Sequence, residues 1–172
     1  MHRSITARFA VRPVARFATT PPRAHEPLLG LLAEMATSLG ATPVRLAPDS
    51  KAAYHAAAVL AAGGLTALLD VVAAVARPTG LDEAGALAVY GPLAAQALAN
   101  ARAMGTAPAL TGPVVRGDVG TVEAHLAVVA EAGDEALEVL RALGQRQVTL
   151  AERRGLAPEA AARLRAAFTR WP

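Results

Sequence analysis

The residues best equipped for chemistry lie in Lys51-Ala-Ala-Tyr54-His55, at the head of a long apolar stretch. Lys51 is the only lysine among 172 residues, and His55 follows it by four positions. On a helix, residues four apart share a face, so one turn presents an amine, an imidazole and, beside them, a phenol. Such groups hand protons to a substrate or polarise its carbonyl or imine. Two readings compete. In the plainer one, Lys51 is a solvated first-turn residue, while Tyr54 and His55 are packing residues with hydrogen-bonded tips. In the other, Lys51 and His55 act on substrate and Tyr54 helps to hold it. Spacing alone favours the plainer reading.

A second segment, Ala109-Leu-Thr-Gly-Pro-Val-Val-Arg-Gly-Asp118, joins a Thr-Gly-Pro turn to Arg-Gly-Asp at a helix start. Asp118 reads first as an N-cap that accepts backbone N–H bonds. Thr111 and Arg116 are harder to assign to structure alone, because an arginine beside a glycine-rich turn is a usual clamp for carboxylate or phosphate. Asp70 interrupts an apolar run, and the pattern leaves open whether it bonds across helices or faces water.

Several chemistries are missing from the sequence. It has no cysteine, so disulfides and thiolate metal sites are excluded. The histidines (2, 25, 55, 125) have no ligand-like spacing, and no metal site is expected. Neither G-x-G-x-x-G after a strand nor G-x-x-x-x-G-K-[ST] occurs, so no nucleotide loop is recognisable. The net charge of +3 is misleading as a sign of nucleic-acid binding. Arg3, Arg8, Arg12, Arg16 and Arg23 precede the first acid, and the rest carries 12 basic and 14 acidic residues. No basic patch belongs to the folded part, and no nucleic-acid partner is expected.

The elements that must position these residues are helical. Hydrophobic residues make up 53% and aromatics 3%, with alanine dominant, a composition suited to closely packed helices. The acid-free leader has the cast of an organelle-targeting peptide, but the favoured reading is a remnant of a longer upstream domain. Phe9-Ala-Val11 is a possible strand, and Thr19-Thr-Pro-Pro22 a linker. The apolar spacing Leu28, Leu29, Leu31, Leu32, Met35, Leu39 predicts a helix from Glu26 to Leu39, stopped by Gly40. Thr42–Leu46 reads as a short strand.

Asp49 or Ser50 should then cap a helix reaching Ala76. The 14 residues from Ala56 to Leu69 carry no charge, short of the roughly 20 that a membrane span needs, so a buried central helix is expected and no membrane. Gly63-Gly64 is expected to mark close approach of another helix or a ligand. Further helices are predicted from Asp82 to Met104 (kinked at Gly91-Pro92), from Asp118 to Ala132, from there to Arg154, and from Pro158 onward. Thr106 to Gly117 is expected to be a loop. The fold class is mainly α, a bundle of about six helices with a short β remnant in front.

Lys51-x-x-Tyr54-His55-Ala-Ala-Ala, the apolar helix with Leu68-Leu69-Asp70, and the segment 109–118 together resemble the C-terminal domain of Rossmann-like oxidoreductases of the domain-of-unknown-function family 2520. That family looks related to pyrroline-5-carboxylate reductase, ketopantoate reductase and 6-phosphogluconate dehydrogenase. The resemblance spans roughly residues 25 to 170. It implies a 6-phosphogluconate dehydrogenase C-terminal-like bundle that follows an NADP-binding Rossmann domain, dimerises and closes the active-site cleft. Relatives often carry Ser-Asn where this chain has Ala62-Gly63. The related hydroxyacid dehydrogenases place Lys and Asn four apart, where this chain has Lys51 and His55.

The expected organisation is a flexible leader or remnant at 1–24, the tail of a Rossmann-like αβ unit at 25–47 and a helical C-terminal domain at 48–172. The expected function is that of the dimerisation and substrate domain of an NAD(P)-dependent oxidoreductase acting on a small carbonyl or imine. It would lack its nucleotide-binding domain and be inactive alone. Lys51 and His55 would be catalytic, and Tyr54, Thr111 and Arg116 would bind substrate. The cofactor would be NADP, the partners a second copy or a separately encoded Rossmann domain, and the location cytoplasmic. The competing expectation is a free-standing helical dimerisation or partner-binding module without catalysis.

Overall fold

The computed structural model describes residues 16–17 and 26–170. The possible strand at Phe9-Ala-Val11 and most of the leader lie outside the described residues. The chain divides into two compact units, residues 1–63 and 64–172.

In the first unit, strand β1 (Arg16–Phe17) pairs in parallel with β2 (Val44–Arg45), with helix α1 (Glu26–Ser38) between them in sequence. The register places Arg16 opposite Val44 and Phe17 opposite Arg45. Helix α1 ends where the sequence predicts. Gly40 takes φ +76°, its N–H donates to Thr37 O, and the Ala41 N–H reaches back to Ala36 O. That pair of bonds satisfies the last carbonyls of the helix, and glycine adopts the left-handed turn without strain. Arg45 pairs with Glu26 at 2.8 Å, between two exposed side chains. Helix α2 (Lys51–Val59) follows, then a wider π-type turn at Leu60–Gly64.

The second unit holds α3 (Leu65–Ala76), a 3₁₀ turn at Arg77–Thr79, α4 (Glu83–Met104), α5 (Thr106–Ala109), α6 (Pro113–Arg116), α7 (Val119–Glu131), α8 (Asp134–Glu152) and α9 (Pro158–Arg170). The protein is mainly helical, and the six long helical runs among the described residues fall where the apolar periodicity places them. Asp82 caps α4 as expected, accepting from Gly85 N at 2.8 Å. Helix α4 runs on through Pro92.

The core of this unit is built from α6 to α9. Leu126, Val148 and Leu164 are fully buried, joined by Val114, Val122, Leu137, Ala151, Ala161 and Phe168. Gly144 lies where α8 meets the Phe168 ring, and a methyl group there would overlap ring atoms. A smaller cluster of Ala73, Ala76 and Ala86, flanked by Leu81 and Tyr90, joins α3 to α4.

Four expectations change. Residues 106–117 are not an irregular loop but two single helical turns. Gly105 (φ +88°) ends α4, Gly112 (φ +99°) separates the turns, and Pro113 starts the second. Ser50 occupies the cap position of α2 without a side-chain capping bond, because its hydroxyl donates to Ala47 O at 2.6 Å. Gly63 meets nothing within 4 Å of a notional Cβ, so no approach of another helix explains it among the described residues. Finally, the helical run Lys51–Thr79 is not a buried central helix. Only 6% of its apolar window is buried, and by length and composition alone the run is long and apolar enough to cross a membrane. Burial begins at Ala73 and Ala76, where α3 meets α4.

Candidate functional site

Lys51, Tyr54 and His55 occupy the first two turns of α2 in the first unit, Lys51 and His55 one turn apart on a shared face. Lys51 and His55 are exposed and Tyr54 is half-buried. The Tyr54 N–H donates to Ser50 O at 2.8 Å, as the helix ladder requires. No acidic residue stands in the first turn. Helix N-termini carry positive partial charge and favour anions, so an ammonium at Lys51 gains nothing from the backbone it stands on. A purely structural role would place that lysine better at the other end of a helix.

Thr111 and Arg116 belong to the second unit, both exposed, Thr111 just before the α6 turn and Arg116 as its last residue. The Arg-Gly-Asp portion of their segment is explained by backbone chemistry. Gly117 (φ +70°) closes α6, with the Asp118 N–H donating to Pro113 O and the Gly117 N–H to Val114 O. A Cβ at Gly117 would stand 3.1 Å from Ala160 Cβ, so α9 also requires the glycine. Asp118 then opens α7: its carboxylate accepts from Thr121 N at 3.0 Å and from Thr121 Oγ1 at 2.6 Å. Those two bonds, with a smaller contribution from the Arg116 and His125 charges, hold its carboxyl below the usual pKa. Asp118 is thus a capping residue. Arg116 is left with an exposed guanidinium beside a fixed turn, a geometry suited to an anionic group from elsewhere.

Two features escape a reading of spacing. The Arg154 guanidinium donates to the Leu110 carbonyl, tying the turn before Thr111 to the end of α8. A second set links α8 to α9. Gln145 Nε2 donates to the Arg165 carbonyl at 3.1 Å and to Thr169 Oγ1 at 3.0 Å, and Arg165 donates to Glu152 at 2.6 Å. The spacing of Gln145, Thr149 and Glu152 marks one face of α8, but only the packed helices reveal the partner. Asp70, undecided by pattern, is exposed. No group of three His, Cys, Asp or Glu residues gathers to hold a metal among the described residues.

A family profile described as a domain of unknown function, DUF2520, matches residues 22–147. No curated protein and no solved structure matches the chain.

Proposed function

The chain belongs to the domain-of-unknown-function 2520 family, and on that premise we propose that it is the helical dimerisation and substrate domain of an NAD(P)-dependent oxidoreductase acting on a small carbonyl or imine. The observation that carries this reading is the head of α2. An amine and an imidazole stand exposed one turn apart, at the start of an apolar run that its own fold hardly buries. Lys51 would donate a hydrogen bond to the substrate oxygen or nitrogen and stabilise negative charge developing there. His55 would supply the proton, and Tyr54 would support the substrate's flank. Thr111 and Arg116 offer a hydroxyl and a guanidinium to a substrate carboxylate or to a second subunit.

A dinucleotide does not fit the described residues unaided. The connection from β2 to α2 is Leu46-Ala-Pro-Asp-Ser50, without the glycines that let backbone approach a pyrophosphate. NADP would be held by a nucleotide-binding domain outside these residues. The parallel β1–α1–β2 crossover is the kind of unit from which such sheets are assembled, and it supports reading residues 25–47 as the tail of one.

A second reading, a dimerisation or partner-binding module without catalysis, is favoured by the same exposed apolar run. Titration of NADPH into the purified chain, with sedimentation in parallel, tests both. We expect a dimer and no saturable binding up to about millimolar NADPH. Saturable binding that weakens in Lys51→Ala would overturn the proposed division of labour. Supplying the nucleotide domain in trans separates the two readings: turnover that falls in Lys51→Ala and His55→Ala belongs to the enzyme, whereas an intact assembly without turnover belongs to the module.

A further inference from the structure

The second unit contains a cavity of about 470 Å³ where α3, α4, α7 and α8 meet. Val75 and Thr79 line it from the α3 side, Tyr90 from α4, Val129 from α7, and Ala136 and Val139 from α8. None of its lining residues carries a charge. Pockets of about 300–1,000 Å³ with apolar walls and one or two placed polar groups are the usual form of small-molecule sites. The space opens to solvent along one side, so it is a groove that a small molecule can enter from outside rather than a void sealed in the core. Its apolar walls offer water few hydrogen-bond partners, so a ligand that displaces water from them gains the hydrophobic term.

Two side-chain hydroxyls belong to the lining. That of Thr79 is committed, donating to Ala76 O at 2.7 Å. That of Tyr90 meets no hydrogen-bond partner among the described residues. Tyr90 is half-buried against the Ala73, Ala76 and Ala86 cluster, which fixes the ring from behind. The hydroxyl is reached by solvent, and a polar group of a ligand in the groove can take the place of the water there.

We propose that this cavity is a binding site for an uncharged, largely hydrocarbon small molecule with one hydrogen-bonding group, such as a medium-chain ketone or alcohol, and that the Tyr90 hydroxyl engages that group. A charged ligand is disfavoured because no lining residue would repay its desolvation. The site uses none of Lys51, Tyr54, His55, Thr111 or Arg116, and stands independently of the oxidoreductase reading.

The test uses the full chain and the neutral fluorophore N-phenyl-1-naphthylamine. We expect saturable enhancement at one site per chain, displaced by decan-2-one and not by decanoate at equal concentration. Val139→Phe and Val75→Phe each fill the cavity and should lower probe affinity by at least about tenfold, with folding checked by circular dichroism. Tyr90→Phe keeps the ring and its packing. It should weaken decan-2-one about threefold to tenfold, the worth of one hydrogen bond, while leaving displacement by decane unchanged. Several results would overturn the proposal: no saturable enhancement with folded protein, unchanged binding in both filled variants, or decanoate displacing as well as the ketone. Probe affinity that falls as copies associate would give the cavity to a second chain, and would equally sink it.

Discussion

Among the described residues, the most apolar helical run and the best-packed helices are different stretches of chain. From Ala56 to Leu69 there is no charge at all, yet Val59 and Leu60 are 53% and 74% exposed. Helices α8 and α9 are rich in arginine, glutamate and glutamine, yet they supply Leu137, Val148, Leu164 and Phe168 to the core. The difference is patterning. In α9, Ala161, Leu164 and Phe168 recur at spacings of three and four, and in α8 Gly144, Val148 and Ala151 do the same. One narrow stripe faces inward and the charged remainder keeps it there. A helix apolar on every side has no such instruction, and its burial depends on what surrounds it.

The comparison breaks most easily at the packed end. Leu164→Ala and Phe168→Ala each leave a cavity among fully buried neighbours, and each should cost about 3–5 kcal/mol by chemical denaturation. A loss under about 1 kcal/mol would mean that α7 to α9 are not the stabilising core.

Gly144→Ala sharpens the same point through a conflict of effects. Alanine in a helix interior gains up to about 1 kcal/mol over glycine. Here its methyl group would overlap the Phe168 ring, and overpacking costs about 1–3 kcal/mol. Net destabilisation is expected, with partial recovery in the Gly144→Ala/Phe168→Leu double variant. Stabilisation by Gly144→Ala alone would show that the α8–α9 contact is loose.

These cases also show how far the sequence can be read. The caps and stops at Gly40, Asp82 and Asp118 were legible because a local rule suffices: an Asx side chain meets the N–H three residues on, and a glycine turns left-handed. The six helical runs were legible from periodicity. The contact of Gly144 with Phe168 and the bond from Arg154 to Leu110 were not, because they join residues 24 and 44 positions apart. The buried fate expected for the apolar helix failed for a related reason, since hydrophobicity states a need for cover without naming the partner. Of the candidate site residues, Lys51, Tyr54 and His55 were legible as one helix face. The structural role of Asp118 came from the turn around Gly117.

A smaller effect is expected at Asp118. Its bonds to Thr121 hold the folded carboxyl below its ordinary value near 3.8. A depressed folded pKa contributes stability that is complete above the unfolded value and disappears as pH falls through the folded one. Thermal melts between about pH 2 and 5 should therefore show a shallower acid slope for Asp118→Asn, while asparagine still serves as a cap near neutrality. An unchanged slope would assign acid sensitivity to other carboxylates.

The smallest expected effect probes the apolar helix itself. Leu60 is 74% exposed, so Leu60→Glu removes almost no buried surface, and glutamate is as good a helix former as leucine. In dilute solution the change should lie within about 0.5 kcal/mol of wild type. At higher concentration the two chains should part. If copies pair through this helix, the wild-type melting temperature rises with concentration by mass action, whereas a buried, unpaired glutamate opposes association and flattens that rise. A loss of several kcal/mol in dilute Leu60→Glu would mean that the helix is covered within its own chain, and the contrast between the two regions would collapse. A concentration-dependent difference alone would instead identify the missing cover as a second copy.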